Sequence, residues 1–187
     1  MRFAAPFVLA TLSLVALGCT ADESNVVRGR GLTVATLPPS AQARIYEAAA
    51  SSAFDVTDET LSLLVDPREL PRAVGLAPEG RLPETVVSEL RSGTIIKGVC
   101  EPPLTGTVGA PRCKAERPGY VLRFSPVFAI RGDSMQVYVY AQQYGTANSG
   151  VTPTLRLERA YQVVRHAGQW RAVREGRVPK EIRGEKK

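Results

Sequence analysis

A single histidine, a single tryptophan and three cysteines stand in 187 residues, and each scarcity removes a class of chemistry. With one histidine a four-ligand zinc site lacks donors, and any nucleophile relay would have to run on His166, which stands beside the turn-forming Ala167-Gly168. A histidine there is ordinarily a surface residue. No Gly-x-Ser-x-Gly elbow occurs, because Gly132-Asp133-Ser134-Met135-Gln136 fails its last position. Gly29-Arg30-Gly31 lacks the strand and spacing of a phosphate loop, and neither His-Glu-x-x-His nor a calcium loop is present. No metal, no cofactor and no enzyme activity is therefore expected; a hydrolase without a recognisable motif stays open as an alternative. Carboxylates at Asp55, Asp58, Glu59, Asp66 and Glu69 flank turns and element ends, where they are ordinarily solvated. Also missing is any apolar run of about 20 residues, the length a bilayer core demands of a helix.

What is present suits one compact domain: 44% of residues are hydrophobic and 22% charged, with no low-complexity run. The formal charge of +6 is uneven. From Tyr120 onward 12 basic residues face 5 acidic ones, whereas Cys19 to Gly119 carries 11 against 13. A basic C-terminal half suits an acidic envelope partner or anionic lipid. Nucleic acid is not expected as a partner, given the N-terminus.

Residues 1–18 have the parts of a signal peptide: Arg2, an uncharged apolar stretch from Phe3 to Leu17, then small residues. Val15-Ala16-Leu17-Gly18-Cys19 resembles the lipobox of bacterial lipoprotein precursors, with Ala16 and Leu17 reversing the commonest order. The resemblance implies cleavage before Cys19, diacylglycerol on its thiol and an acylated amino terminus. Two or three chains at about 0.8 kcal/mol per buried methylene hold a soluble domain at a membrane stably, where one holds it marginally. Thr20 after the cysteine implies the outer membrane, facing the periplasm, if the host is Gram-negative. An ordinary signal peptide releasing a secreted soluble protein is the alternative, since Ala16-Leu17-Gly18 also approximates a small-x-small cleavage site.

Three is an odd cysteine count for an oxidising compartment, and lipidation of Cys19 leaves Cys100 and Cys113 to pair with each other. Two inert thiols or half of a metal site are the alternatives, the latter disfavoured by the single histidine.

The mature chain divides into a polar tether (19–39), one α+β domain (40–176) and a basic tail (177–187). Ser40 is placed to cap a helix from Ala41 to about Ser52, with Ile45, Ala48, Ala49 and Ser52 on its inward face. Thr60 to Val65 reads as a strand stopped by Asp66-Pro67. Pro83 starts a helix presenting Val86, Val87 and Leu90 and ending at Gly93, and Thr94 to Val99 reads as a further strand. Tyr120–Ile130, Met135–Tyr144, Thr154–His166 and Gln169–Glu175 alternate like strands of an antiparallel meander. A two-residue last turn sets Arg165 opposite Trp170, Val163 opposite Ala172 and Tyr161 opposite Arg174, with Leu155 and Leu157 on the same face. The expected fold is α+β, with short N-terminal helices packed on a C-terminal antiparallel meander sheet.

FSPVFAI, MQVYVYAQQYG, ERAYQVV and GQWRAVREG resemble the C-terminal sheets of uncharacterised exported α+β proteins. The helix-then-sheet order is also similar to nuclear-transport-factor-like domains, which implies a concave sheet holding a pocket.

With Arg131 to Ser134 as a turn, Phe124, Pro126, Phe128, Val137, Val139 and Ala141 share one face, the expected core. Arg123, Ser125, Tyr138, Tyr140, Gln142 and Tyr144 share the other, an aromatic and polar mixture suited to a small-molecule ligand beneath covering helices. Arg131-Gly132-Asp133, the tripeptide that integrins recognise, reads here as plain turn chemistry. The expected role is a membrane-anchored envelope lipoprotein that binds a ligand or a protein partner.

Overall fold

The computed structural model describes residues 32–54, 61–69, 80–101, 113, 117–144 and 156–177. Cys19, the expected signal peptide (1–18) and residues 178–187 of the expected tail lie outside them.

The chain runs β1 (Thr33–Val34), α1 (Pro39–Ala53), β2 (Ser62–Val65), α2 (Glu84–Ser92), β3 (Gly98–Val99), β4 (Gly119–Phe124), β5 (Phe128–Arg131), β6 (Ser134–Tyr144), β7 (Arg156–His166) and β8 (Gln169–Gly176). All eight strands join one sheet. The long β6 is central. One of its edges pairs along β7, which carries β8 beyond it, and the other pairs with β4 and β5 in turn. β2 and β3 extend the β4 end and β1 the β5 end.

The fold is α+β, but the sheet is mixed instead of an antiparallel meander, because β2 lies parallel to both β3 and β4. Parallel neighbours need a long crossover, and the segment carrying α2 supplies it between β2 and β3. The helices are accordingly not gathered at the N-terminus. Gly119 makes the β2–β4 pair possible: a Cβ there would collide with the Ser62 carbonyl oxygen.

α1 begins earlier than Ser40 suggests. Pro38 is its N-cap and Pro39 its first residue, where a fixed φ costs nothing and no N–H is missed. Ala43, Ile45, Tyr46, Ala49 and Ala50 form its buried stripe; Ala48 is half-buried and Ser52 exposed, so the inward face is rotated toward Tyr46. β1 lies inside the segment expected to be tether. Val34 pairs with Phe128, and the Ala35 N–H donates to the Val127 carbonyl, so the domain reaches back at least to Leu32. α2 follows its pattern, burying Val86, Val87 and Leu90, with Glu84 and Arg91 at the ends that the helix dipole favours. Only Gly98–Val99 of the expected Thr94–Val99 strand pairs.

Both helices pack on the sheet face bearing Leu63, Val65, Leu122, Phe124, Val137, Val139, Ala141, Tyr161 and Val163. Each fully buried large side chain there contributes roughly 1.5–3 kcal/mol. The Tyr46 ring stacks on Phe124 at 4.5 Å between centroids. Its hydroxyl donates to the Ser125 carbonyl at 3.0 Å and accepts from Gln42 Nε2 at 2.7 Å.

Three irregularities break the expected alternation, one of them a register shift between Ala129 and Arg131, which pair with Met135 and Ser134. Phe124 pairs with Val139 but Phe128 with Gln136, so four steps on one strand match three on the other. Phe128 is thereby turned to the face opposite the helices, where it meets Tyr138 edge-on at 5.8 Å, instead of joining Phe124 in the main core. In the last hairpin Arg165 faces Trp170 and Val163 faces Ala172, as alternation requires, whereas Tyr161 faces Glu175 and not Arg174. The extra residue is Val173, 57% exposed. Leu155 lies outside the described residues. Ala167 and Gly168 both take positive φ, the geometry of a two-residue turn that follows strand twist.

Candidate functional site

Of the six residues expected to form a binding face, Arg123, Tyr138, Tyr140, Gln142 and Tyr144 lie on β4 and β6 at positions of one face, and Ser125 lies in the break between β4 and β5. The helices lie on the other face and do not cover it. Its middle row runs across the strands as Asp66, Arg123, Tyr140 and Glu158.

Most of its polar atoms are committed to the fold. Asp66, 1% exposed, accepts from the Arg68 backbone N–H at 3.1 Å, from Arg68 Nε at 3.0 Å and from Nη2 at 2.7 Å, with Arg123 Nε 3.5 Å away. Arg123 also donates to the Arg68 and Glu69 carbonyls, clamping the chain that leaves β2. The Ser125 hydroxyl accepts from the Tyr138 N–H, and the Tyr138 hydroxyl accepts from Gln136 Nε2 at 2.6 Å. Tyr144 donates to the Ser62 carbonyl at 3.3 Å; burial pushes its phenol above the ordinary range, and that bond partly offsets the shift. Tyr140 and Gln142 are half-buried, and their side chains carry no hydrogen bond to the described residues. Gln136 Oε1 is buried without a partner.

On the helix side an open groove of about 750 Å³ lies between α1, the segment after α2 and the β7–β8 turn. Arg44, Glu47, Ala48 and Ser51 form one wall, spaced as one stripe of a helix. Trp170 and Ala172 form the other, with Ile95 at the end contributed by the segment after α2, and Arg171 borders it from the edge strand with its side chain on the opposite face. Local sequence sets both walls: the α1 stripe borders the helix's buried stripe, and alternation in β8 turns Trp170 and Ala172 toward the helices.

Glu47 is the groove's only carboxylate among the described residues. Burial raises its pKa above the ordinary carboxylate range, while the Ile95 N–H it accepts and the nearby Arg44 pull the other way. Its Oε1 is shielded from solvent against Gly93, without a hydrogen bond. Arg44 and Arg171 are exposed, and neither forms an ion pair with a described residue. Arg171 Nη2 donates to Gln169 Oε1 at 3.2 Å.

Sequence alternation does not reveal this groove, because its residues come from three separated stretches. The legible signal was the Arg44, Glu47, Ala48, Ser51 stripe at i, i+3, i+4 and i+7. His166 is exposed at the end of β7, opposite Gln169. The Cys100 and Cys113 sulfur atoms are 2.06 Å apart, at disulfide distance. Among the described residues no cluster of three potential metal ligands occurs, and no helix is long and apolar enough to cross a membrane. No protein-family model matches this chain, nor does any curated protein or solved structure.

Proposed function

We propose that this chain is an exported lipoprotein, anchored through acyl chains on Cys19, whose α+β domain binds a ligand in the groove between α1 and β8. The observation that carries the binding reading is a contrast between the two faces. On the strand-only face Arg123, Ser125, Tyr138 and Tyr144 spend their polar atoms holding the fold together. In the groove Arg44, Ser51 and Ser52 of α1 border the exposed part of Trp170 with donors and acceptors that the fold leaves available. Pockets that orient a ligand combine an apolar surface with a few convergent polar groups in this way. Pairing of Cys100 with Cys113 supports export, since such bridges persist in oxidising compartments, and it leaves Cys19 as the cysteine free for lipid.

Native mass spectrometry of the full-length protein, gently extracted from membranes, tests both halves. The expected result is a chain beginning at Cys19 with acyl mass and a retained small molecule that Trp170→Ala loses. An N-terminus near Cys19 without acyl mass overturns the anchor and leaves a secreted soluble protein. Retention unchanged by Trp170→Ala overturns the groove.

A second reading rests on the exposed Arg165, Arg171 and Arg174 of β7 and β8. In that reading the basic end of the sheet docks an acidic envelope protein. Release of a co-purifying protein at high salt supports it, and salt-independent retention sinks the electrostatic form.

A further inference from the structure

Resting on the reading that the basic end of the sheet docks an acidic envelope protein, we infer that an extended acidic segment of that protein joins the free edge of β8 as a ninth strand. Backbone geometry, the groove beside the strand and the placement of charge lead there together.

The backbone comes first. Among the described residues β8 pairs with β7 alone, so one edge of Gln169–Gly176 has no neighbour. Ala167 and Gly168 make a two-residue turn, which joins His166 to Gln169 through their own backbone groups. Alternation from that pair turns the N–H and C=O of Trp170 and Ala172 away from β7. Unpaired edge groups of this kind are a template for a further strand.

The groove follows this edge. Gly168, Gln169, Trp170, Arg171 and Ala172 line it in unbroken succession, although only Trp170 and Ala172 turn their side chains toward the helices. Gln169 and Arg171 reach it through their backbone. A groove bordered by consecutive residues of an edge strand runs along that strand, the shape that an extended chain fills. Alternate side chains of such a chain would enter the groove beside α1, against Trp170, Ala172 and Ala48, and apolar ones suit that surface.

The remaining side chains would lie on the face that carries Arg171 and Arg174, which stand opposite Val164 and Gln162. Both arginines are exposed, and neither forms an ion pair with a described residue. Carboxylates at alternate positions match them across the pair of strands. The same charges disfavour the two occupants nearest to hand. In an antiparallel β8–β8 contact centred on the strand, Arg171 falls against the second copy's Arg174, and like charges directly opposite destabilise a sheet. Residues 178–187 carry four basic groups against two acidic ones, so they match the edge poorly as well.

Trp170 is the chain's only tryptophan and borders the edge, so its emission reports occupancy without a label. The full chain is titrated with an end-blocked peptide alternating glutamate and valine, with its lysine counterpart, and with two N-methylated forms of the acidic peptide. One form is methylated on every glutamate nitrogen, the other on every valine nitrogen. Alternate amides of a strand face the same neighbour, so only one set can bond to β8. The acidic peptide is expected to give a saturable change in emission, with the lysine peptide binding about tenfold more weakly. One methylated form should bind like its parent and the other about tenfold more weakly, having lost the N–H groups that face β8. Arg171→Gln and Arg174→Gln should each weaken the acidic peptide roughly fivefold. Both residues are exposed, so circular dichroism should show an unchanged fold.

Methylated forms that bind alike overturn strand addition and leave an acidic partner held by charge alone. Equal affinity for the glutamate and lysine peptides overturns the acidic match. A dimer of the peptide-free chain that the acidic peptide dissolves, seen by native mass spectrometry, assigns the edge to a second copy and overturns the partner. No binding of any peptide overturns the inference alone, since the partner reading is judged separately by release of the co-purifying protein at high salt.

Discussion

Ser125 and Tyr138 are joined by two hydrogen bonds of different kinds. The Ser125 N–H donates to the Tyr138 carbonyl at 3.0 Å, and the Tyr138 N–H donates to the Ser125 hydroxyl at 2.9 Å. A side chain thus takes the place of a backbone carbonyl where the ladder slips by one residue between β4 and β5. The same hydroxyl donates to the Pro126 carbonyl at 2.8 Å, so its proton and a lone pair are both in use.

Ser125→Ala removes that acceptor and leaves the buried Tyr138 N–H unpaired. An orphaned buried donor costs about 1–3 kcal/mol. Urea unfolding should show a lower midpoint with an unchanged slope; a midpoint within error of the wild type would mean that the hydroxyl does not hold the bulge.

Glu47 makes stability depend on pH in a definite direction. Its carboxyl pKa is above the ordinary 4.5 in the folded chain, so the folded state takes up its proton more readily than the unfolded state. The stabilising contribution is complete below the unfolded value and is lost as pH rises through the folded one. Glu47→Gln keeps an acceptor for the Ile95 N–H and removes the charge. The variant should melt higher than the wild type at pH 7 and converge with it near pH 4. The group is half-exposed and solvent-screened, so the gain is small, on the order of 1–2 °C. A gap that persists unchanged at pH 4 would assign the effect to packing instead.

Much of the fold was legible because its signals are local. Val86, Val87 and Leu90 mark α2 by spacing, β6 alternates along its length, and Ala167-Gly168 announces a two-residue turn. The odd cysteine count pointed to the Cys100–Cys113 pair. What escaped is non-local or depends on one inserted residue. Nothing in SLLV shows that β2 lies parallel to β4, since that pairing rests on Gly119, more than 50 residues later. The bulges near Ser125 and at Val173 each shift parity by one, which moved Phe128 to the other face and exchanged Arg174 for Glu175 opposite Tyr161. Arg123, Tyr140 and Gln142 lie on one face where β4 and β6 pair regularly, yet no pattern could show that Asp66 would draw Arg123 into the frame.

The Cys100–Cys113 bridge closes a short span, with the cysteines 13 positions apart, and should contribute about 3 kcal/mol by restricting the unfolded chain. Reduction, or the double variant Cys100→Ser with Cys113→Ser, should therefore lower Tm by about 6–12 °C. An unchanged melting curve on reduction would show that the segment after β3 is held by other contacts, such as the Cys100 N–H donated to the Val65 carbonyl at 2.8 Å.

Asp66 is the residue whose replacement should damage the domain most. Its carboxylate is almost wholly buried and accepts from Arg68 through backbone and guanidinium together, with Arg123 behind. Asp66→Asn preserves shape and one acceptor oxygen but removes the negative charge that faces two largely buried guanidiniums. Breaking such a pair by neutralising one partner costs about 3–5 kcal/mol, most of it from the charge left behind and not from the attraction lost. That origin can be isolated. Arg123→Met in the Asp66→Asn background removes one of the two cations that faced the lost charge and should recover part of the loss. The same Arg123→Met change in the wild type should destabilise, because Asp66 then keeps its charge with a single cationic neighbour. A double-mutant cycle from urea midpoints reads the difference. If the two changes simply add, the cluster acts through packing and hydrogen bonds, and electrostatic coupling between Asp66 and Arg123 is not what fixes the chain leaving β2.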